Sequence, residues 1–593
     1  MKKVILYLST VVFVGIVGVS CNKVLNVKPQ NIVTGSQILS SKKSVQAELA
    51  TLYSQMPLED FNFHAHNTYH GYTNGWLEVL SGLTMENKDH NINSIPGDGT
   101  WLEWWNQGYS SVRQINKFIA SVKKSKKFSK QQLDQWLGEA LFIRAYDYFG
   151  LVKRYGGIPL ITHVQNYTGN NLTKLQVPRN KEKKIYDFIS TELDSAATLM
   201  GPTSPAGRAN KYVALALKSR VMLFAASEAE YAPVQMNGLL GIPSSDADQY
   251  WKQAYNAANK IIQSGQYSLY DKYPNDRAKN FDQLFLHAKD NPEVIFAKYY
   301  QYPQKVHHFD LWRLPYEYRS PHGYSSDDAP TVQLLQAFDY KDGSNGKLKI
   351  KNSQGQRIEY KNPLDLFKNK DPRLFATAIL PFSKWKGKVV HVRAGIIDNG
   401  DTITTNNFND TYKGMNVIGA SGIGGGEVSS TGMYMRKHLN PNYPASRVNS
   451  GSATPWIAFR LGGVLLNYAE AAAELGKMGD AARAINKLHA RAGIAPVKPS
   501  QVTVNTVRHE DKVEEVDENK YYWDMRRWRI ADKVLDNYYC KALYPFYNYQ
   551  DKAYVFKTVK VGYSETFQPR MYYEKIPSGE ISKDPKLKQN PGY

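Results

Sequence analysis

The sequence predicts a mostly α protein, in which antiparallel helix pairs form a scaffold and a large irregular, loop-rich region carries short β-strands. Three observations carry this. Residues 131–161 hold apolar side chains at helical spacing on almost every side. Further helical stripes recur over 181–200, 210–227, 250–263 and 460–491. Between residues 270 and 455 that period disappears and turn residues dominate.

Taken in order, the chain opens on Lys2-Lys3 and an apolar run from Val4 to Val19, too short for a membrane span and suited to a secretory signal. The run ends in Val19-Ser20-Cys21, a small residue directly before a cysteine, so Cys21 is the expected lipidated first residue of the mature chain. Cleavage there removes two lysines and no acids, taking the formal charge from +21 to +19. With only two cysteines in the chain, lipidation of Cys21 leaves Cys540 unpaired and the body without a disulfide.

An amphipathic helix is expected from about Ser44. Residues 57–110, rich in Gly, Asn, His and aromatics, read as a long structured loop, the kind of segment that carries function. A helix from Trp101 to Val122 precedes the apolar one. In the latter, Leu133, Trp136, Leu137, Ala140, Leu141, Tyr148, Leu151, Val152 and Tyr155 line one face, with Phe142, Ile143, Tyr146 and Phe149 opposite. Such a helix is a core pillar. Arg144 and Asp147, three apart, are placed to pair on its surface, and Gly156-Gly157 with Pro159 ends it. Near the far end, Arg460–Leu475 and Asp480–Arg491 flank Gly476-Lys477-Met478-Gly479 as a helical hairpin, with Asp480 the expected N-cap. Alanine at the close-contact positions of these pairs makes them tetratricopeptide-like, although no 34-residue consensus is kept. The run Glu293–Tyr300 is β-like.

The charge of +21 and pI near 9.4 suit an acidic ligand, an anionic surface or nucleic acid. No nucleic-acid motif accompanies the charge, and the Lys123-Lys124-Ser125-Lys126-Lys127 run reads as a solvated helix end.

Tyrosine is the compositional anomaly, with 41 residues. Tyr69, Tyr72, Trp76, Trp101, Trp104 and Trp105 cluster around the early loop, and Tyr299, Tyr300, Tyr302, Trp312, Tyr316 and Tyr318 in the later irregular region. Sugar rings present apolar C–H faces and polar edges, so an exposed aromatic platform with nearby donors and acceptors suits them. The stacking candidates are Trp76, Trp101, Trp312, Tyr72, Tyr299 and Tyr316. Trp104 and Trp105, at a helix start, read instead as packing residues.

Other chemistry is thinner. His64, His66 and His70 have metal-like spacing, but no carboxylate or cysteine motif completes them, and no metal site is assigned. Asp89, Asn91 and Asn93 begin like a calcium loop, with Ser94 and Thr100 in the wrong places, which leaves only a looser structural calcium site open. Gly422-Ile423-Gly424-Gly425-Gly426 lacks a phosphate-loop context, and no G-x-S-x-G elbow occurs. Asp327, Asp328 and Glu427 offer carboxyls for glycoside hydrolysis, without a sequence indication of their separation.

FIRAYDYFGLVKRYGGIPLI (142–161) resembles the signature helix and turn of the SusD/RagB family of outer-membrane lipoproteins. Asp371-Pro372-Arg373-Leu374, RLGGVLLNYAEAAAELG, AINKLHARAGI, Tyr522–Trp528 and the ending Gln589-Asn590-Pro591-Gly592-Tyr593 resemble it in the same order. Two places depart: Asp511 and Glu515 are unexpected acids, and Gly462-Gly463 stands where a carboxylate-containing pair is common. The resemblance implies a signal peptide over 1–20, then an N-terminal helical region (21–270) and a C-terminal region (271–593) forming one compact body. It also implies a surface-exposed, lipid-anchored, non-enzymatic protein that needs no cofactor. Such a protein captures oligo- or polysaccharide for a SusC-like TonB-dependent outer-membrane transporter. The positive charge points to an acidic polysaccharide. A peptide-binding import component and a glycoside hydrolase are the alternatives.

Overall fold

The computed structural model describes residues 39–62, 77–86, 102–319, 325–419, 428–443, 451–562, 564 and 566–593. The signal-like run and Cys21 lie outside them. Six helices make up the N-terminal half of the scaffold: α1 (Lys42–Gln55), α2 (Trp105–Lys124), α3 (Lys130–Tyr155), α4 (Glu182–Leu199), α5 (Lys211–Tyr231) and α6 (Ala247–Gln263). From α2 onward each packs on the next in chain order. Among the short helices that punctuate the irregular region are α7 (Phe309–Arg313) and α8 (Pro372–Thr377). The later helices are α9 (Leu461–Glu474), α10 (Met478–Ala492), α11 (Val504–Glu514) and α12 (Tyr521–Arg527). The α9/α10 hairpin continues the stack, because α9 packs on α6. One hydrophobic core takes residues from Val45 to Leu587, so the scaffold and the C-terminal region share an interior.

α3 is the pillar its sequence predicts. Ser129 caps it with a reciprocal Gln132 box, and Gly156 ends it at φ +71°, a left-handed conformation that glycine adopts at little cost. Phe142, Ile143, Tyr148, Leu151, Val152 and Tyr155 are fully or almost fully buried. The Arg144–Asp147 pair does not form. Arg144 reaches out to Glu192 Oε2 on α4 (2.8 Å from Nε) and to Asn116 Oδ1 on α2 (2.7 Å). Asp147, with no exposed surface, faces the Ser111 side, where burial pushes its carboxyl well up. Neighbouring helices offered the guanidinium better partners than its own turn did.

Asp480 is not the N-cap of α10. Lys477 holds that position after Gly476 turns at φ +73°, and Asp480 sits in the first turn, accepting the Tyr255 hydroxyl at 2.8 Å. An acid there still faces the positive end of the helix. The lysine run does end α2: Lys123, Lys124 and Lys127 are exposed, as is Lys126 between them.

The later motifs meet in one buried ion network. Arg373 binds Asp371, Glu510 and Glu514 at 2.8, 2.6 and 2.8 Å. Arg460 binds Glu293, Glu514 and Glu518 at 3.0, 2.6 and 2.6 Å. Arg491 joins Glu293 at 2.8 Å and also contacts Glu514. The three arginines hold the Glu514 carboxyl far below its usual range against the opposing effect of burial. Glu515 and Gly462-Gly463, from the two departures, lie against this network. A Cβ on Gly462 would crowd Arg460 and Glu293, and one on Gly463 would meet Glu515 and Lys520. Glycine at 462–463 therefore opens the space that charged side chains from the α11–α12 connection fill.

The strands are few. β1 (Val294–Lys298) pairs antiparallel with the strand leading into α9, Trp456–Arg460. The remaining strands needed below are β2 (Gly395–Asp398), β3 (Asp401–Ile403), β4 (Cys540–Asn548) and β5 (Ala553–Val561), which form a sheet in the order β5-β4-β2-β3. β4 and β5 are antiparallel, with Tyr547 directly opposite Tyr554, and β2 runs parallel to β4.

Candidate functional site

The six stacking candidates divide. Tyr72, Trp76 and Trp101 lie outside the described residues, as do His64, His66, His70, Asp89, Asn91, Asn93, residues 422–426 and Glu427. Trp312, on α7, is 4 % exposed and packs with Leu311, Leu314 and Tyr318, so its indole lies beneath the surface. Tyr299, just past β1, is 37 % exposed and has no ring partner among the described residues. Tyr316, in a 3₁₀ turn, is half-buried with its ring 5.1 Å from that of Phe408 and the Arg319 guanidinium 3.6 Å from its centroid. Among the described residues, no ring contact joins Tyr299 to Tyr316.

A strip of rings begins beside Tyr316, at His391, and is linked to Tyr316 through its chain neighbour and, among the described residues, not by a ring contact. The neighbouring Glu317 accepts the backbone N–H of His391 at 3.2 Å. From His391 the rings follow one another: Phe382 at 6.0 Å, then Tyr554 at 4.6 Å, Tyr547 at 5.2 Å and Tyr549 at 6.5 Å, with Tyr412 6.3 Å beyond. Each step is tilted or edge-on, the arrangement that ring quadrupoles favour. None of these rings is buried: His391 is exposed and the others are half-exposed. Local structure explains the alignment. The β4/β5 register sets Tyr547 across from Tyr554, and Tyr549 follows two residues on.

Charges flank the strip. The Lys413 ammonium lies 4.5 Å from the Tyr549 centroid, and the Tyr412 hydroxyl donates to Asp398 Oδ2 at 2.8 Å. Hydrogen bonds from Lys413 and Tyr412 hold the Asp398 carboxyl down to about 2. Arg319 and Arg393 stand beside Tyr316 and the Tyr547–Tyr554 pair. The result is an apolar, partly open track with fixed donors and acceptors along its edges.

Sequence reading found only Tyr316 of this set. The missed signal was the alternation in Tyr544–Tyr549, which puts aromatics on both faces of one strand. The packing reading of Trp104 and Trp105 agrees with the structure: they are 9 and 3 % exposed, with Trp105 edge-on to Tyr155 at 5.1 Å. Asp327 and Asp328 are 2 and 0 % exposed, and Asp328 is ion-paired to Arg313, so they form no open carboxyl pair. Among the described residues, no group of three or more His, Cys, Asp or Glu side chains is arranged to hold a metal ion. No described helix is long and apolar enough to cross a membrane.

A family profile described as "SusD family" matches residues 292–593, more than half of the chain. The chain belongs to the SusD family. A second profile, "Starch-binding associating with outer membrane", matches residues 23–223 of this SusD protein. A SusD-like protein of Formosa agariphila is 22 % identical over 295 residues, 48 % of this chain and 51 % of the relative, so the match spans about half the length of that curated protein. Solved SusD folds superpose over nearly all of it. A SusD-like protein from Bacteroides fragilis gives a TM-score of 0.69 at 22 % identity, covering 95 % of this chain and 100 % of its own. A SusD-like carbohydrate binding protein of the same species gives 0.66 at 19 %, covering 92 and 99 %. Surface glycan-binding protein A from Bacteroides fluxus gives 0.57 at 18 %, covering 93 and 100 %. At these identities the likeness establishes the fold: a mostly helical, tetratricopeptide-like scaffold.

Proposed function

We propose that this protein captures oligo- or polysaccharide on its aromatic strip without cleaving it and passes it to a SusC-like TonB-dependent outer-membrane transporter. In this reading the lipid on Cys21 tethers a surface-exposed body to the outer membrane, and lipid and transporter contacts together hold it there. The observation that carries it is the file of rings from His391 to Tyr412, with Tyr316 beside its first end, edged by Arg319, Arg393, Lys413 and Asp398. A sugar stacks its C–H face on such rings and hydrogen-bonds at its rim. The names of the second family profile and of two of the structural neighbours, starch-binding, carbohydrate binding and surface glycan-binding, support the same ligand class.

Tyr72, Trp76, Trp101 and Tyr299 remain part of the proposed surface, whereas the buried Trp312 supports it from beneath; in this reading the 21–270 and 271–593 regions form one body. The test is a calorimetric screen of the mature protein across neutral and charged polysaccharides, repeated on Tyr316→Ala and Tyr554→Ala. Loss of affinity with the fold intact supports the reading. Unchanged affinity in both variants, or shortened products after incubation, overturns it.

A further inference from the structure

A cavity of about 520 Å³ lies outside the strip, between the segment after α5, the segment after α12 and the last residues of the chain. Its volume falls within the range of small-ligand sites. Its charge is uneven. Arg529, Lys533 and Arg570 line it, against one carboxylate, Asp532, which accepts the Tyr572 hydroxyl at 2.5 Å. Arg529 is answered from behind by Glu228. Among the described residues, neither Lys533 nor Arg570 forms an ion pair. Arg570 spends one Nη1 hydrogen bond on the Gly592 carbonyl (3.0 Å) and lies 5.5 Å from the Tyr593 ring centroid.

The rest of the wall suits a sugar. Tyr572 and the prolines 233, 569 and 591 supply apolar surface. Asn590, 2 % exposed, commits its Nδ2 to the carbonyls of Tyr155 (3.2 Å) and Glu574 (2.8 Å), leaving Oδ1 in the wall without a donor. A buried acceptor of this kind is satisfied by a hydroxyl or by a water that the ligand holds in place.

We propose that this cavity binds an anionic sugar unit, its carboxylate or sulfate held by Arg570 and Lys533. Guanidinium and ammonium groups that outnumber the one carboxylate of the cavity and pair with no acid among the described residues favour such an oxyanion, and Arg presents it two parallel donors. The inference rests on the saccharide reading above and adds a second site with its own charge preference.

The test uses the full mature chain and trigalacturonic acid, with maltotriose as the neutral probe and inorganic phosphate as the bare anion. The background carries Tyr316→Ala and Tyr554→Ala, which weaken binding on the strip. Trigalacturonic acid is expected to bind there still, more weakly as salt rises. Arg570→Gln with Lys533→Gln should cost at least tenfold in affinity, and Arg570→Lys with Lys533→Arg should restore most of it, with unfolding midpoints checked throughout. Maltotriose binding as well as the acid, or a glutamine pair that changes nothing, overturns the inference. So does phosphate competing at the same concentration as the acid, which would make the cavity a simple anion site. If the unmodified protein binds no glycan of either kind, the broader reading fails. If it binds neutral glycans on the strip and the glutamine pair is silent, only the cavity fails.

Discussion

Gly463 and Glu515 occupy one space: a Cβ built on the glycine runs into Oε1 of the carboxylate, which is itself held by Lys520. Gly463 lies in the first turn of α9, where glycine still gives up helix propensity relative to alanine, so its presence needs this steric reason. Gly463→Ala should lower stability by about 1–2 kcal/mol despite the gain in helix propensity, because a packed site resists added volume. Glu515→Ala should reverse the sign of that substitution. A double-mutant cycle by urea unfolding measures the coupling.

Arg460 has no exposed side-chain surface and answers three glutamates. Arg460→Met leaves Glu293, Glu514 and Glu518 short of a counter-charge at the seam where the later motifs meet. A loss of about 3–5 kcal/mol is expected, the usual cost of stranding buried charge. Poor yield of folded protein, or a sharply lowered urea midpoint, checks it.

Glu78 is 1 % exposed, and burial, then the nearby Asp517 and Asp328, raise its carboxyl to about 8. The folded state therefore holds this proton more tightly than the unfolded chain does. Its contribution is complete below the unfolded value near 4.5 and is lost as pH rises toward 8. Glu78→Gln keeps the uncharged form and should flatten this part of the pH–stability curve. Unfolding midpoints of both proteins, followed from mildly acidic to mildly alkaline pH, read the difference. Each tenfold gain in proton affinity on folding is worth about 1.4 kcal/mol.

On the strip, Tyr554 touches both Phe382 and Tyr547, whereas Tyr316 touches Phe408 at one end. Tyr554→Ala should weaken glycan binding about tenfold, equivalent to about 1.4 kcal/mol. Tyr316→Ala should cost less for a long polymer than for a short oligosaccharide, since a polymer keeps its other contacts. Calorimetry with a ligand length series separates them.

Cys21→Ala should abolish incorporation of labelled fatty acid and release the protein from the membrane fraction. Fractionation of cells carrying each form checks this expectation.

The pillar helix was legible because a period sustained over many turns averages out local accidents, and Gly156 ends it in sequence as in space. What Arg144 binds was not legible, since Glu192 and Asn116 arrive from other helices. Composition put Trp312 and Tyr316 in one irregular, aromatic-rich region but could not say which one packing would bury. The strip needed the Tyr547–Tyr554 register and a separate loop carrying Phe382 and His391, a coincidence of distant segments that no local pattern encodes. Gly462-Gly463 and the acids at 511 and 515 looked like unrelated oddities. In three dimensions Gly463 and Glu515 explain each other.

The track of rings from His391 to Tyr412 also bears on release. A chain resting on several weak footholds loosens from one while the next still grips it, so dissociation as a whole is slow although each foothold exchanges quickly. A polymer held this way creeps lengthwise instead of falling free, and handing it to a neighbour means transferring one segment at a time.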